Sequence, residues 1–212
     1  MIRDQELFGQ LQDGVRRFVR EKLVPLEADV AENDRVPEHI IQEMRDLGLF
    51  GISIPEQYGG LDLTMEEECL IAIELGGASP AFRSVFGTNV GIGSQGLLMD
   101  GTPEQKARYL PDLASGKIAS SFALTEPGAG SDAASLKTSA RREGDEYVIN
   151  GTKRFITNAP TAGLFTVYAR TDPDSAGAAG VSAFLVEAGA TGLSIGKPEK
   201  KMGQQGTQIA DV

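Results

Sequence analysis

Between Phe122 and Asp132 the sequence runs Phe-Ala-Leu-Thr-Glu-Pro-Gly-Ala-Gly-Ser-Asp. An apolar strand end breaks there into a turn: Pro127 fixes φ, while Gly128 and Gly130 let the backbone fold tightly and approach another molecule closely. Such a loop brings peptide N–H groups and the hydroxyls of Thr125 and Ser131 to one place, which is how a chain holds a phosphate or a polar ring edge without a charged side chain. Taken alone, the stretch also reads as an ordinary exposed connector. A second stretch, Asn150-Gly-Thr-Lys-Arg-Phe-Ile-Thr-Asn158, follows one hairpin later. Its alternating aromatic, β-branched and hydroxyl residues read as a strand over 152–158.

Together the two stretches resemble the acyl-CoA dehydrogenase family of flavoenzymes. That family's middle domain carries a TEPGAGSD loop, matched here by Thr125–Asp132, and then an NG-x-K-x-[WF]-I-[TS]-N strand, matched by Asn150–Asn158. The resemblance covers the whole chain and implies an FAD site built from Phe122, Ala123, Leu124, Thr125, Gly130 and Ser131 with Phe155, Ile156 and Thr157. Thr125 would face the pyrimidine end of the flavin and the Thr157 hydroxyl its N5. Ser131 would also touch the acyl-CoA substrate, and Phe155 stands where many members carry a tryptophan packed on the flavin.

The chemistry so implied is loss of two hydrogens across the α and β carbons of an acyl-CoA thioester, giving a trans-2-enoyl-CoA. A carboxylate takes the α-proton while a hydride leaves the β-carbon for the flavin, and the electrons pass to an electron-transferring flavoprotein. Glu126 is a carboxylate inside the key motif, but in a Pro-Gly turn it caps backbone N–H groups. The family's base belongs to a C-terminal helical domain that lies beyond Val212, so no catalytic residue is assigned and these 212 residues alone are expected to be inactive. The last stretch, Gly206–Val212, is expected to be a strand lacking partners, prone to pairing through its edge. Family members commonly form homotetramers or homodimers through the domain not present here. Two other readings stay open: an acyl-CoA oxidase or flavin monooxygenase on the same fold, and a non-catalytic flavin or acyl-CoA binding module ending at Val212.

Composition narrows the classes. With 30 acidic against 20 basic residues the formal net charge is -10, which gives no electrostatic footprint for nucleic acid or an anionic membrane. One cysteine excludes an intrachain disulfide framework. Cys69 reads as a small buried hydrophobe in a helix, and it fits a reducing, cytoplasmic location. His39 stands alone, without a ligand cluster. No run approaches the roughly 18 apolar residues of a membrane span, and the N-terminus lacks the apolar core of a signal peptide.

The elements that must position the two stretches divide into an α part and a β part, an α+β chain with a boundary near Gly116-Lys117 and domains at 1–116 and 117–212. Apolar residues at helical spacing predict a helix through Leu7, Leu11, Val15, Phe18 and Leu23, ended or bent by Pro25. A second carries Ile40, Ile41, Met44 and Leu47 to Gly48. Gly51–Pro55 reads as extended. Thr64 with Glu67 predicts a capping box for a third helix, Ser79-Pro80 opens a fourth that runs through the glycines of 87–96, and Thr102-Pro103 with Gln105 opens a fifth. The small residues of the fourth helix fit either close backbone packing or room for a bulky acyl chain. From Ala119 the pattern changes to strands over 121–125, 136–142, 146–150, 152–158, 164–170 and 181–187, with Asn150-Gly151 as a type I′ hairpin turn. Evenly spaced strands predict an antiparallel sandwich or barrel, truncated before the family's C-terminal four-helix domain. Gly128 and Gly130 lack the spacing of a dinucleotide fingerprint.

Overall fold

The computed structural model describes residues 4–212. The chain divides into two compact units: a helical one reaching to Ala119 and including Lys200–Gln208, and a β-rich one made of Ser120–Glu199 and Ile209–Val212.

In the helical unit, α1 (Gln5–Phe18) starts at an Asp4 cap that accepts from the Glu6 and Leu7 amides. Its buried side carries Phe8, Val15 and Phe18, whereas Leu7 points to solvent. Pro25 bends the chain: the ladder widens to a π-turn over Val19–Leu23 and tightens to a 3-10 turn over Val24–Leu26 before α2 (Glu27–Asn33). A proline without an N–H that also crowds the preceding turn has this effect. α3 (Glu38–Asp46) ends at Gly48, whose φ of 71° is the left-handed cap that glycine adopts without strain.

Gly51–Pro55 is not extended. Leu49–Gly51 is a 3-10 turn, and a tight turn follows whose carbonyls are taken by Leu61, Asp62 and Leu63. The reason is close backbone packing: a Cβ on Gly60 would lie 1.9 Å from the Ile54 carbonyl oxygen. α4 (Met65–Leu75) has the predicted capping box, with Thr64 N–H donating to Glu67 Oε2 at 2.7 Å. Cys69 is exposed on this helix rather than buried. The fourth predicted helix is two: α5 (Pro80–Val90) stops at Gly91 and α6 (Gln95–Asp100) resumes after a turn. The cost of several glycines within one helical stretch is met here by a break. α7 (Pro103–Ala114) begins at the Thr102/Gln105 capping box. The core between these helices centres on Phe50, Phe82, Phe86, Ile40, Met44 and Ile71.

The β unit holds β1 (Ser120–Ala123), β2 (Ser139–Glu143), β3 (Glu146–Asn150), β4 (Ile156–Thr157), β5 (Leu164–Arg170), β6 (Val181–Glu187) and β7 (Ile209–Ala210). The larger sheet has the order β1-β5-β2-β3, with β6 also on β5, and β4 pairs β7 in a small second sheet. Pairing is mixed rather than purely antiparallel, because β1 runs parallel to β5 with Ser120 opposite Leu164 and Ala123 opposite Val167. β5 (Leu-Phe-Thr-Val-Tyr-Ala-Arg) is almost wholly buried on both faces, as a central strand requires. The β2–β3 hairpin turns at Gly144-Asp145, with φ of 64° at Gly144. Asn150-Gly151 is therefore not a hairpin turn. Gly151 is small because a Cβ there would meet Thr138 Oγ1 at 2.3 Å. The final strand does have a partner: Ile209 and Ala210 pair with Thr157 and Ile156, and Val212 exchanges hydrogen bonds with Lys153.

Candidate functional site

The two motif stretches meet in the β unit. Beyond β1, the Thr125 carbonyl accepts from the Arg154 amide at 2.7 Å, and at the other end the Ser121 hydroxyl donates to the Thr157 carbonyl at 2.7 Å. Phe122, Ala123, Leu124 and Thr125 are thus laid alongside Phe155, Ile156 and Thr157. Ala123 and Ile156 are buried in the core of the unit, Leu124 is half-buried, and the Phe122 ring packs on Tyr168 at 5.0 Å between centroids. Thr125 and Thr157 are half-buried, and neither hydroxyl has a hydrogen-bond partner among the described residues.

Only two residues of the expected 152–158 strand pair as one. Phe155 lies in the left-handed region, φ 57°, its N–H held by Asp211 Oδ1 at 3.3 Å. That backbone turns its ring outward, 54% exposed, with the Arg154 guanidinium over it at 5.0 Å. A left-handed aromatic is uncommon and needs a cause, and here the hydrogen bonds of Arg154 and Phe155 on either side supply it.

The turn beyond Thr125 is a tight two-residue reversal. Glu126 and Ala129 exchange both backbone hydrogen bonds, 3.0 and 3.2 Å, with Pro127-Gly128 at the tip. Neither Gly128 nor Gly130 adopts a left-handed φ, and a Cβ on either would meet nothing within 4 Å. The chain itself makes no demand for glycine at these positions. Gly130 and Ser131 are exposed on this reversal, and among the described residues no hydrogen bond joins them to the Phe155–Thr157 segment.

Glu126 behaves as its turn predicts. Its carboxylate accepts from the Lys137 amide at 2.6 Å, the Thr138 amide at 2.8 Å and Lys153 Nζ at 2.9 Å. Burial pushes its pKa up, but these donors outweigh burial, together with the Thr138 hydroxyl, which lies near without reaching hydrogen-bond geometry; the result is a pKa of about 2. A carboxylate so held is a poor proton acceptor at neutral pH. Its partner Lys153 is only 3% exposed and donates also to the Leu124 carbonyl at 3.0 Å. Burial lowers the Lys153 pKa, against the opposing pull of Glu126.

Lys153 is the residue sequence reasoning passed over. The signal was available: one motif carries a single acidic residue in its Pro-Gly turn, and the other a Lys-Arg pair whose first member β alternation places on the opposite face from the second.

The residues present fit a flavin: the two docked stretches carry two unpartnered hydroxyls and an outward aromatic ring, next to a turn whose glycines leave space. Among the described residues, no group of three or more His, Cys, Asp or Glu could hold a metal ion, and no helix is long and apolar enough to cross a membrane.

Residues 6–117 match the family description "Acyl-CoA dehydrogenase, N-terminal domain", and residues 121–212 match "Acyl-CoA dehydrogenase, middle domain". The chain is 38% identical over 198 residues to an acyl-CoA dehydrogenase of Bacillus subtilis, covering 93% of this chain and 52% of that protein. It is 38% identical over 214 residues to acryloyl-CoA reductase (NADH) of Anaerotignum propionicum, covering 100% of this chain and 53% of the other. Among solved structures, an acyl-CoA dehydrogenase complexed with FAD from Bacillus anthracis superposes with a TM-score of 0.86 at 34% identity, over 99% of this chain and 35% of that one. The chain thus spans about half the length of the curated relatives it matches. With both domain descriptions matched in order across helical and β units of the expected kind, this chain belongs to the acyl-CoA dehydrogenase family.

Proposed function

We propose that this chain contributes the flavin-facing middle-domain surface of an FAD-dependent oxidoreductase that removes two hydrogens across the α and β carbons of an acyl-CoA thioester. The observation that supports this best is the docking of Phe122–Thr125 against Phe155–Thr157, which leaves the Thr125 and Thr157 hydroxyls unpartnered and the Phe155 ring outward. Bound FAD would supply the two-electron acceptor. The residues of this chain would bind and orient it: Thr125 and Thr157 as hydroxyl donors to the ring edge, and Phe155 as an aromatic face beside it. Gly128 and Gly130 give the room for close approach, and Ser131 meets the substrate side. Glu126 is excluded as the α-proton acceptor by its three donors and low pKa, so the base comes from elsewhere in the whole protein. An electron-transferring flavoprotein is the expected electron acceptor, with a homotetramer or homodimer as the assembly.

A second reading runs the same chemistry toward the saturated thioester. It rests on the acryloyl-CoA reductase relative being as similar as the dehydrogenase relative, 38% in both cases. One anaerobic experiment tests both. Acyl-CoA added to the FAD-loaded whole protein, purified with the segment that carries its base, bleaches the oxidised-flavin absorbance and yields enoyl-CoA under the first reading. Under the second, enoyl-CoA reoxidises the pre-reduced flavin and the reverse reaction is slow. Oxygen consumption would identify an oxidase, and failure to retain FAD would refute the flavin reading.

A further inference from the structure

Lys153 carries its ammonium group into the β unit on a fixed base. Its backbone N–H donates to the Val212 carbonyl at 2.7 Å, and its carbonyl accepts from the Val212 amide at 2.8 Å. The buried Nζ then reaches two acceptors that flank one residue: the Leu124 carbonyl at 3.0 Å and the Glu126 carboxylate at 2.9 Å. The residue between them is Thr125. A trans peptide is planar, with its C=O and N–H pointing opposite ways. Turning the Leu124 carbonyl inward to Lys153 therefore turns the Thr125 N–H the other way. The next peptide is fixed from the same segment, because the Thr125 carbonyl is taken by the Arg154 amide. Both peptide planes around Thr125 are set by consecutive residues of the second motif, while the Thr125 hydroxyl has no partner among the described residues.

A buried ion pair is a weak source of stability, since apolar residues of equal volume often serve as well. Such a pair does impose a direction on the groups it binds, because hydrogen bonds from an ammonium in a low-dielectric interior tolerate little displacement. We infer that Lys153 is a positioning residue: through Leu124 and Glu126 it aims the Thr125 donors at the flavin edge. This rests on the proposed flavin site and deepens it.

The test measures FAD affinity by fluorescence titration, together with the visible absorption spectrum and reduction potential of the bound flavin, in the wild-type protein, Lys153→Met and Lys153→Gln. Circular dichroism and thermal unfolding establish which variants are folded. Gln keeps an N–H donor without the charge, so it guards against the Met variant failing to fold. The expected result is FAD binding weakened at least tenfold in Lys153→Met, with a displaced flavin band and potential, and an intermediate change in Lys153→Gln. A folded variant with wild-type affinity, spectrum and potential overturns the positioning role while leaving the flavin site standing. A wild-type protein that binds no FAD overturns the flavin site itself and this inference with it.

Discussion

Replacing Glu126 by Gln changes one atom and disturbs three donors. In the native protein Oε1 accepts from Thr138 N and Lys153 Nζ, and Oε2 from Lys137 N. A glutamine oxygen can take over one side, but its NH2 then faces a backbone N–H or the ammonium on the other. An unsatisfied buried N–H costs about 1–3 kcal/mol, and an uncompensated buried cation about 3–5 kcal/mol. Lys153 sheds part of the second cost by losing its proton, which burial already favours, so the sum is about 4 kcal/mol. With a urea m-value of about 2 kcal/mol/M, the unfolding midpoint at pH 7 falls by about 2 M. The pH dependence provides a second check. Glu126 has a pKa lowered from 4.5 to about 2 on folding. Its stabilisation is therefore fully present above 4.5 and is lost as pH falls toward 2, an amount of about 3 kcal/mol. The variant lacks this term, so the gap between the two proteins narrows steadily as pH is lowered from 5 to 2.5. A midpoint difference below about 0.5 M at pH 7, or a gap that does not change with pH, would refute the argument.

Other substitutions separate what the chain needs from what a ligand needs. Gly128→Ala is expected to leave the urea midpoint unchanged, because nothing lies within 4 Å of its Cβ, while weakening FAD binding by about tenfold, or roughly 1.4 kcal/mol; equal affinity would show that nothing approaches that glycine. Gly151→Ala drives a methyl into Thr138 and is expected to destabilise by about 1–3 kcal/mol, read by thermal unfolding. Thr64→Ala removes one half of the α4 capping box at a cost of about 1 kcal/mol, with no change in flavin affinity.

Much of this architecture was legible in the sequence where local chemistry decides it. Both capping boxes, the Gly48 cap, and strands β3, β5 and β6 follow from residue types at fixed spacing. So did the role of Glu126, since a carboxylate in a Pro-Gly turn faces orphan amides. What was not legible depends on residues far apart in sequence. Asn150-Gly151 has the composition of a hairpin turn, but the glycine answers to Thr138 across the unit. The Phe155 stretch alternates like a strand, yet its neighbour in space turns it into a left-handed corner. The glycines of 87–96 sit in one helix only at a cost for each, and the chain instead ends α5 at Gly91. Parallel pairing of β1 with β5 leaves no local mark at all.

That parallel pairing has a consequence for the order in which the protein assembles. The β2–β3 and β5–β6 hairpins join neighbours in sequence, so they are expected to form early. β1 must instead wait for residue 164 to come back to residue 120, a closure of high contact order. The Thr125–Ser131 turn hangs from the end of β1, and its lysine clamp arrives with the 153–154 segment. Maturation of the proposed flavin-facing edge is thus expected late in folding, and acquisition of flavin fluorescence during refolding is expected to lag the appearance of β structure.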